Sequence, residues 1–227
     1  MITGVKTGQC RPTRRVLRWD PYTDPSEDSM EFRLTYSGPL LGDRTDDRAP
    51  KRARHKHDIR KHFHRQLKAL WGHHPVLIKI RQQAAPSEYQ AAVIEEFNRE
   101  GFRWVPLATN RLSLSCRLEV LMLRQGAPGR VTTDIDNRLK TLFDALRIPA
   151  GPLELGRDEQ GNPRLPDADE DPFYVLLEND DIITHVAVTT DTLLEPVPDV
   201  PEDNAVRLVI DVTLRPYDVN MDNLDFA

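Results

Sequence analysis

With 227 residues, the chain is long enough for one well-packed domain carrying a sizeable insertion. Hydrophobic residues make up 39% and charged residues 30%, a balance of a folded protein with polar loops and tails. No apolar run approaches the ~20 residues of a membrane span, the N-terminus lacks a signal peptide's apolar core, and the net charge of −5 argues at first sight against a nucleic-acid binder.

Residues 1–29 hold Pro12, Pro21 and Pro25 among many charges, and a flexible leader is expected there. Cys10 in this leader and Cys116 further on have no partner spacing, so neither a disulfide nor a zinc framework is expected, and cytoplasm is the default compartment. Met30, a plausible alternative start, opens a strand-like run through Tyr36 that ends at Ser37-Gly38-Pro39. A polar loop then leads to about Pro50.

Residues 44–68 hold 10 Lys/Arg, 4 His and 3 Asp. Their second half reads as a helix, with Ile59, Phe63, Leu67 and Leu70 as the apolar stripe and Arg60, Lys61, Arg65 and Lys68 away from it. Lys51, Arg52, Arg54, Lys56, Arg60 and Lys61 are candidate phosphate contacts, for which affinity falls with salt. The plainer reading, a solvated loop, stays open for the first half. His55/His57 and His62/His64, two residues apart, suit a single zinc poorly, and phosphate contact is preferred.

A short strand is expected over Val76–Ile80 and a helix over residues 86–98. The clearest strand runs from Leu112 to Met122 in strict alternation. A turn at residues 126–130 leads to Asp134, and a helix follows from about Asn137 to Leu146 on a stripe of Leu139, Leu142, Phe143 and Leu146. Residues 148–172 read as a long surface loop. Two strands near 174–178 and 182–190 bracket Asp180-Asp181, with His185 a packing or surface residue of the second. Val206–Leu214 is a final strand, and the tail from Pro216 is acidic. The whole reads as α/β (α+β), a mixed β-sheet flanked by helices, with a core domain over 30–215, insertions near 73–105 and 148–172, and an acidic tail over 216–227.

The charge is divided. Residues 154–227 hold 19 acids against 4 bases, leaving 27 bases and 17 acids for residues 1–153. Such a split suggests a polyanion-facing surface beside an acidic region that can supply metal ligands.

Asp134 and Asp136, two apart just ahead of a helix, can face one cation in extended chain. A hard cation such as Mg²⁺ takes oxygen ligands from one or two carboxylates, waters and substrate phosphate. A third carboxylate from Asp180 or Asp181 would complete the set. Lys140, one turn past Asp136, can stabilise charge building on a phosphate. Each residue also has an ordinary reading. Asp136 suits a helix cap, Lys140 and Asp144 a surface ion pair, and Asp180-Asp181 a turn.

Together, Asp134-Ile135-Asp136-Asn137-Arg138-Leu139-Lys140-Thr141-Leu142-Phe143-Asp144-Ala145-Leu146 and Asn179-Asp180-Asp181-Ile182-Ile183 resemble the RusA family of Holliday junction resolvases. The order of elements is similar over roughly residues 30–214. The resemblance implies Mg²⁺ ligation by Asp134, Asp136 and Asp181, with Mn²⁺ a possible substitute, and a role in cleavage for Lys140. Asp180 and Asn137 are possible accessory residues. It also implies a homodimer acting on branched DNA, with no membrane and no organic cofactor. The expected function is a metal-dependent endonuclease resolving Holliday junctions in recombination and repair. Other branched or phage-related DNA targets, or branched-DNA binding without turnover, are the alternatives. The chain departs from a minimal family member in its length, in the insertion before Asp180-Asp181 and in its acidic second half, which puts junction specificity in doubt more than the metal site.

Overall fold

The computed structural model describes residues 29–42, 49–82, 97–125, 135–157, 161–220 and 223–226. The expected leader up to residue 28, most of the helix expected over 86–98, the turn at 126–130 and Asp134 lie outside these residues.

Alternating sequences build the main sheet. Strands β1 (Met30–Pro39), β4 (Leu114–Arg124), β6 (Ile183–Thr192) and β7 (Ala205–Pro216) join in the order β1-β7-β4-β6. The β1/β7 and β7/β4 pairs are antiparallel and β4/β6 is parallel, so the sheet is mixed. On β4, Leu114, Cys116, Leu118, Val120 and Met122 are buried; on β7, Val206, Leu208, Ile210, Val212 and Leu214 are. The other face carries the ion pairs Arg33–Asp211 and Arg117–Glu119.

Helix α1 (Ala49–His73) packs Ile59, Phe63, Leu67 and Trp71 into this core. Its long run of good helix formers extends through the first basic residues, so the solvated-loop reading of Lys51 to His57 is replaced by helix. Helix α2 (Pro75–Gln82) occupies the segment expected to be a strand. The β-branched spacing of Val76, Ile78 and Ile80 imitates strand alternation. Pro75, however, sits at the first helical position, where its missing N–H costs nothing, and Leu77 is fully buried.

A second sheet joins β2 (Phe97–Arg99), β3 (Phe102–Ala108) and β5 (Phe173–Leu177) in the order β2-β3-β5, antiparallel then parallel. Phe97 and Asn98, expected to end a helix, instead form with Arg99 one arm of a hairpin. Glu100 and Gly101 both have positive φ, 53° and 79°, the signature of a two-residue turn matched to strand twist. Phe102, Trp104, Phe173 and Val175 from this sheet close a second core with Ile148 and Leu155.

The described residues of 148–172 contain one short 3-10 turn, Pro152–Glu154, and are otherwise irregular. At Gly156, with φ +81°, an added Cβ would lie 3.2 Å from the Arg54 backbone nitrogen, so glycine lets the insertion close on α1. No helix among the described residues is long and apolar enough to cross a membrane.

Candidate metal centre

Helix α3 (Ile135–Leu146) carries most of the motif. Leu142, Ala145 and Leu146 are buried, while Leu139 and Phe143 pack at the margin of the core. Asp136 and Lys140, four residues apart, are exposed on the opposite side. Asn137 is half-buried, and its carbonyl accepts from the Thr141 hydroxyl at 3.2 Å.

The Asp180-Asp181 pair forms a 3-10 turn, Asp180–Ile182, between β5 and β6. Asn179 caps it, its side-chain oxygen accepting from the Asp180 N–H at 2.9 Å, and Ile182 anchors it in the core. Both aspartates are exposed. The turn packs against α3 and β4, which brings the two motif blocks together. Among the described residues, no group of three His, Cys, Asp or Glu side chains is placed to hold a metal ion. Asp134, the first aspartate of the motif, lies outside them. Asp136 and Asp181 offer only hard oxygen donors, open to solvent on touching elements, and this donor chemistry fits a Mg²⁺-type cation.

Asp144 is not a surface residue. It is 7% exposed, and its carboxylate accepts from Lys56 Nζ at 2.7 Å and from Arg147 Nη2 at 2.7 Å. The Arg147 guanidinium continues to Glu154 at 3.0 Å. The motif aspartate therefore ties α3 to α1 and to the insertion.

The same network corrects two of the expected phosphate contacts. Arg60, placed by spacing on the solvent side, is fully buried. It donates to the Asp144 and Arg147 carbonyls at 2.6 and 3.3 Å and lies over the Trp104 ring, 6.0 Å from its centroid. Burial pushes its guanidinium down to about 10, still cationic at neutral pH. Lys61 is held by Glu170 at 2.6 Å and Asp167 at 3.0 Å. These acids lie more than a hundred residues away in sequence, beyond the reach of any local pattern. Lys56 is committed to Asp144, Arg52 is half-buried, and Lys51 and Arg54 are exposed.

Glu170 is the insertion's buried anchor. It accepts from Lys61, from Arg164 at 3.0 Å and from the Asp167 N–H at 2.9 Å, with the buried His57 ring 3.8 Å away. Burial alone would raise its carboxyl; neighbouring His57, Lys61 and Arg164 outweigh this and hold it well below the usual carboxylate range. Burial against Phe102 and Phe173 pushes His57 down to about 4, partly opposed by Glu170. His64 bridges the same elements: its ring pairs with the Asp169 carbonyl at 3.0 Å and accepts from the Tyr174 N–H at 2.8 Å. His57 and His64 thus serve packing. His185 stands half-buried on β6 beside Arg117.

No family model matches the chain, and no curated protein or solved structure matches it.

Proposed function

We propose that this protein is a divalent-metal-dependent endonuclease of RusA type, a cytoplasmic homodimer that resolves Holliday junctions by hydrolysing phosphodiesters. One observation carries the reading: α3, with Asp136 and Lys140 on its outer side, packs against the turn bearing Asp180 and Asp181. Two sequence blocks with no local reason to meet are packed against each other, which supports the reading.

In this reading Asp136 and Asp181, with Asp134, hold Mg²⁺ or Mn²⁺ through carboxylate oxygens. The metal, when bound, supplies Lewis-acid activation of a water for attack on the phosphate. Lys140 offsets the negative charge that grows on the phosphate oxygens. Lys51 and Arg54, exposed at the start of α1, contact phosphates of the DNA arms. Asp180 and Asn137 sit beside the ligands and orient the turn and the helix start.

A neighbouring reading keeps the chemistry and changes the target to another branched DNA. It is favoured by the insertion, whose Asp167 and Glu170 pair with Lys61 on α1. Cleavage of a synthetic four-way junction in Mg²⁺ or Mn²⁺, compared with fork, flap and linear duplexes, tests both. Asp134→Asn and Asp181→Asn are expected to abolish cutting while junction binding persists. Full cleavage by either purified variant would overturn the site.

A further inference from the structure

The two edges of the main sheet are treated differently by the chain. At the β1 edge, the Gln66 side chain on α1 closes the backbone of Thr35: its Oε1 accepts from the Thr35 N–H at 2.9 Å and its Nε2 donates to the Thr35 carbonyl at 2.7 Å. His62 reaches the same carbonyl at 3.0 Å. A side-chain amide here takes the place of a further strand, one of the ways proteins block edge pairing. Strand β6 forms the opposite edge, bonded only to β4 in the sheet order. Among the described residues, no side chain from another element reaches its outer backbone groups; only Asp191 caps the neighbouring Thr192 N–H, at 2.7 Å. Its sequence, Ile-Thr-His-Val-Ala-Val-Thr-Thr-Asp-Thr, has no proline and no lysine and is mostly exposed, with Val186 at 38%. An edge this long and Thr/Val-rich, left unguarded by the described residues, is a template for another strand.

We propose that β6 pairs antiparallel with β6 of a second copy, joining the two four-stranded sheets into one. A two-fold axis normal to the sheet preserves its faces, so residues of like parity must oppose each other. The register with β4 places His185, Ala187, Thr189 and Asp191 on the outer face, with Arg117, Glu119, Leu121 and Leu123. Setting Val188 on the axis puts His185 opposite Asp191 of the other copy, twice, and Ala187 opposite Thr189. The same register sets Val188 against itself on the face that adjoins the core. Each His185 ring then faces a carboxylate that can accept from it, and small Ala187 faces Thr189, so the pairs are self-complementary in this register. Moving the axis to Ala187 loses both His–Asp pairs. This places the homodimer of the function proposed above on a definite surface, yet it is decided by how the chain associates, whether or not the protein cuts DNA.

Cysteine at the axis reads out the register. In a Cys10→Ser background, Val188→Cys places two thiols directly opposite, at the ~4.5–5.5 Å Cα separation of cross-strand pairs, within disulfide reach. Val186→Cys lies four residues from its symmetry mate along the strand, roughly 13 Å away and out of reach. The parent protein is expected to sediment as a dimer at micromolar concentration. Mild oxidation should convert the Val188→Cys variant almost fully to a covalent dimer and leave the Val186→Cys variant uncoupled. A monomeric parent, a dimer that fails to couple at 188, or equal coupling at 186 and 188 would overturn the proposal. A cross-linked dimer that cuts no junction would leave it standing and remove the nuclease reading instead.

Discussion

Replacing Asp144 by alanine separates two accounts of a motif residue. If Asp144 were a surface partner of Lys140, four positions back on α3, its loss would cost ~0.3–0.5 kcal/mol. The structure instead buries it, with both carboxylate oxygens on cations at 2.7 Å, Lys56 and Arg147, whose side chains are only 13% and 12% exposed. Removing one partner of a buried ion pair costs ~3–5 kcal/mol, because the remaining charge stays out of water. Arg147 keeps Glu154 and the Ile148 carbonyl, so the lower end, about 3 kcal/mol, applies here. Asp144→Asn retains shape and one acceptor and should cost less, about 2 kcal/mol. Against a typical net stability of ~5–15 kcal/mol, both variants remain folded at room temperature. Urea denaturation followed by circular dichroism gives the difference from the midpoint shift at constant slope. The exposed Lys140→Ala should leave the midpoint nearly unchanged. An Asp144→Ala cost below about 1 kcal/mol, or an equal cost for Lys140→Ala, would refute the buried clamp.

Other outcomes follow from the same geometry. Lys140→Ala is expected to slow single-turnover junction cleavage by at least tenfold with junction affinity unchanged, measured by rapid quench and gel shift; an unchanged rate would remove Lys140 from the chemistry. Lys51→Ala with Arg54→Ala should flatten the dependence of DNA affinity on salt, by a slope change of roughly 2, whereas Arg60→Met should alter stability and leave that slope alone. On pH, the folded value of His57 lies below its unfolded 6.5, at about 4. The unfolded chain therefore binds the proton first on acidification. This contribution to stability is complete above pH 6.5 and is lost as pH falls towards 4, by roughly 3 kcal/mol for a shift of this size. His55, also pushed down to about 4 by burial, acts in the same direction, so the urea midpoint should fall from pH 7 to 5; a flat midpoint would refute this.

Much of this architecture was legible because its signals are local. β1, β4 and β7 alternate on one buried face, and α3 shows its stripe, so spacing alone located them. Asp180-Asp181 fell where a turn between strands was expected, and a 3-10 turn stands there. The misreadings arose where tertiary contact or turn chemistry decides. α2 imitates strand alternation, and its proline at the helix start was the overlooked signal. No strand was expected at β3, which carries Pro106 within it and is reached through the Glu100-Gly101 hairpin turn. Arg60 and Lys61 looked like solvated bases because their partners come from α3 and from a loop a hundred residues on.

The division of charge along the sequence takes on a different meaning once these contacts are drawn. Basic first half and acidic second half suggested one surface for a polyanion and another for solvent. In the fold, part of that opposition is spent internally: Lys61 on Glu170 and Asp167, and Arg147 on Glu154. Glu170 is buried and Glu154 half-buried, so the Coulomb attraction there is offset by desolvation, and the main effect of these pairs is to fix where the insertion lies against α1. That placement matters for function. The insertion is pinned along the middle of α1 by Glu170 and Asp167, while Lys51 and Arg54 at the helix start stay exposed. A duplex lying along the whole basic helix would have to displace Glu170, whose carboxylate is fully enclosed. The insertion thereby pairs with Lys61 in the middle of α1, and under the function proposed above selection among branched substrates would turn on where the insertion lies.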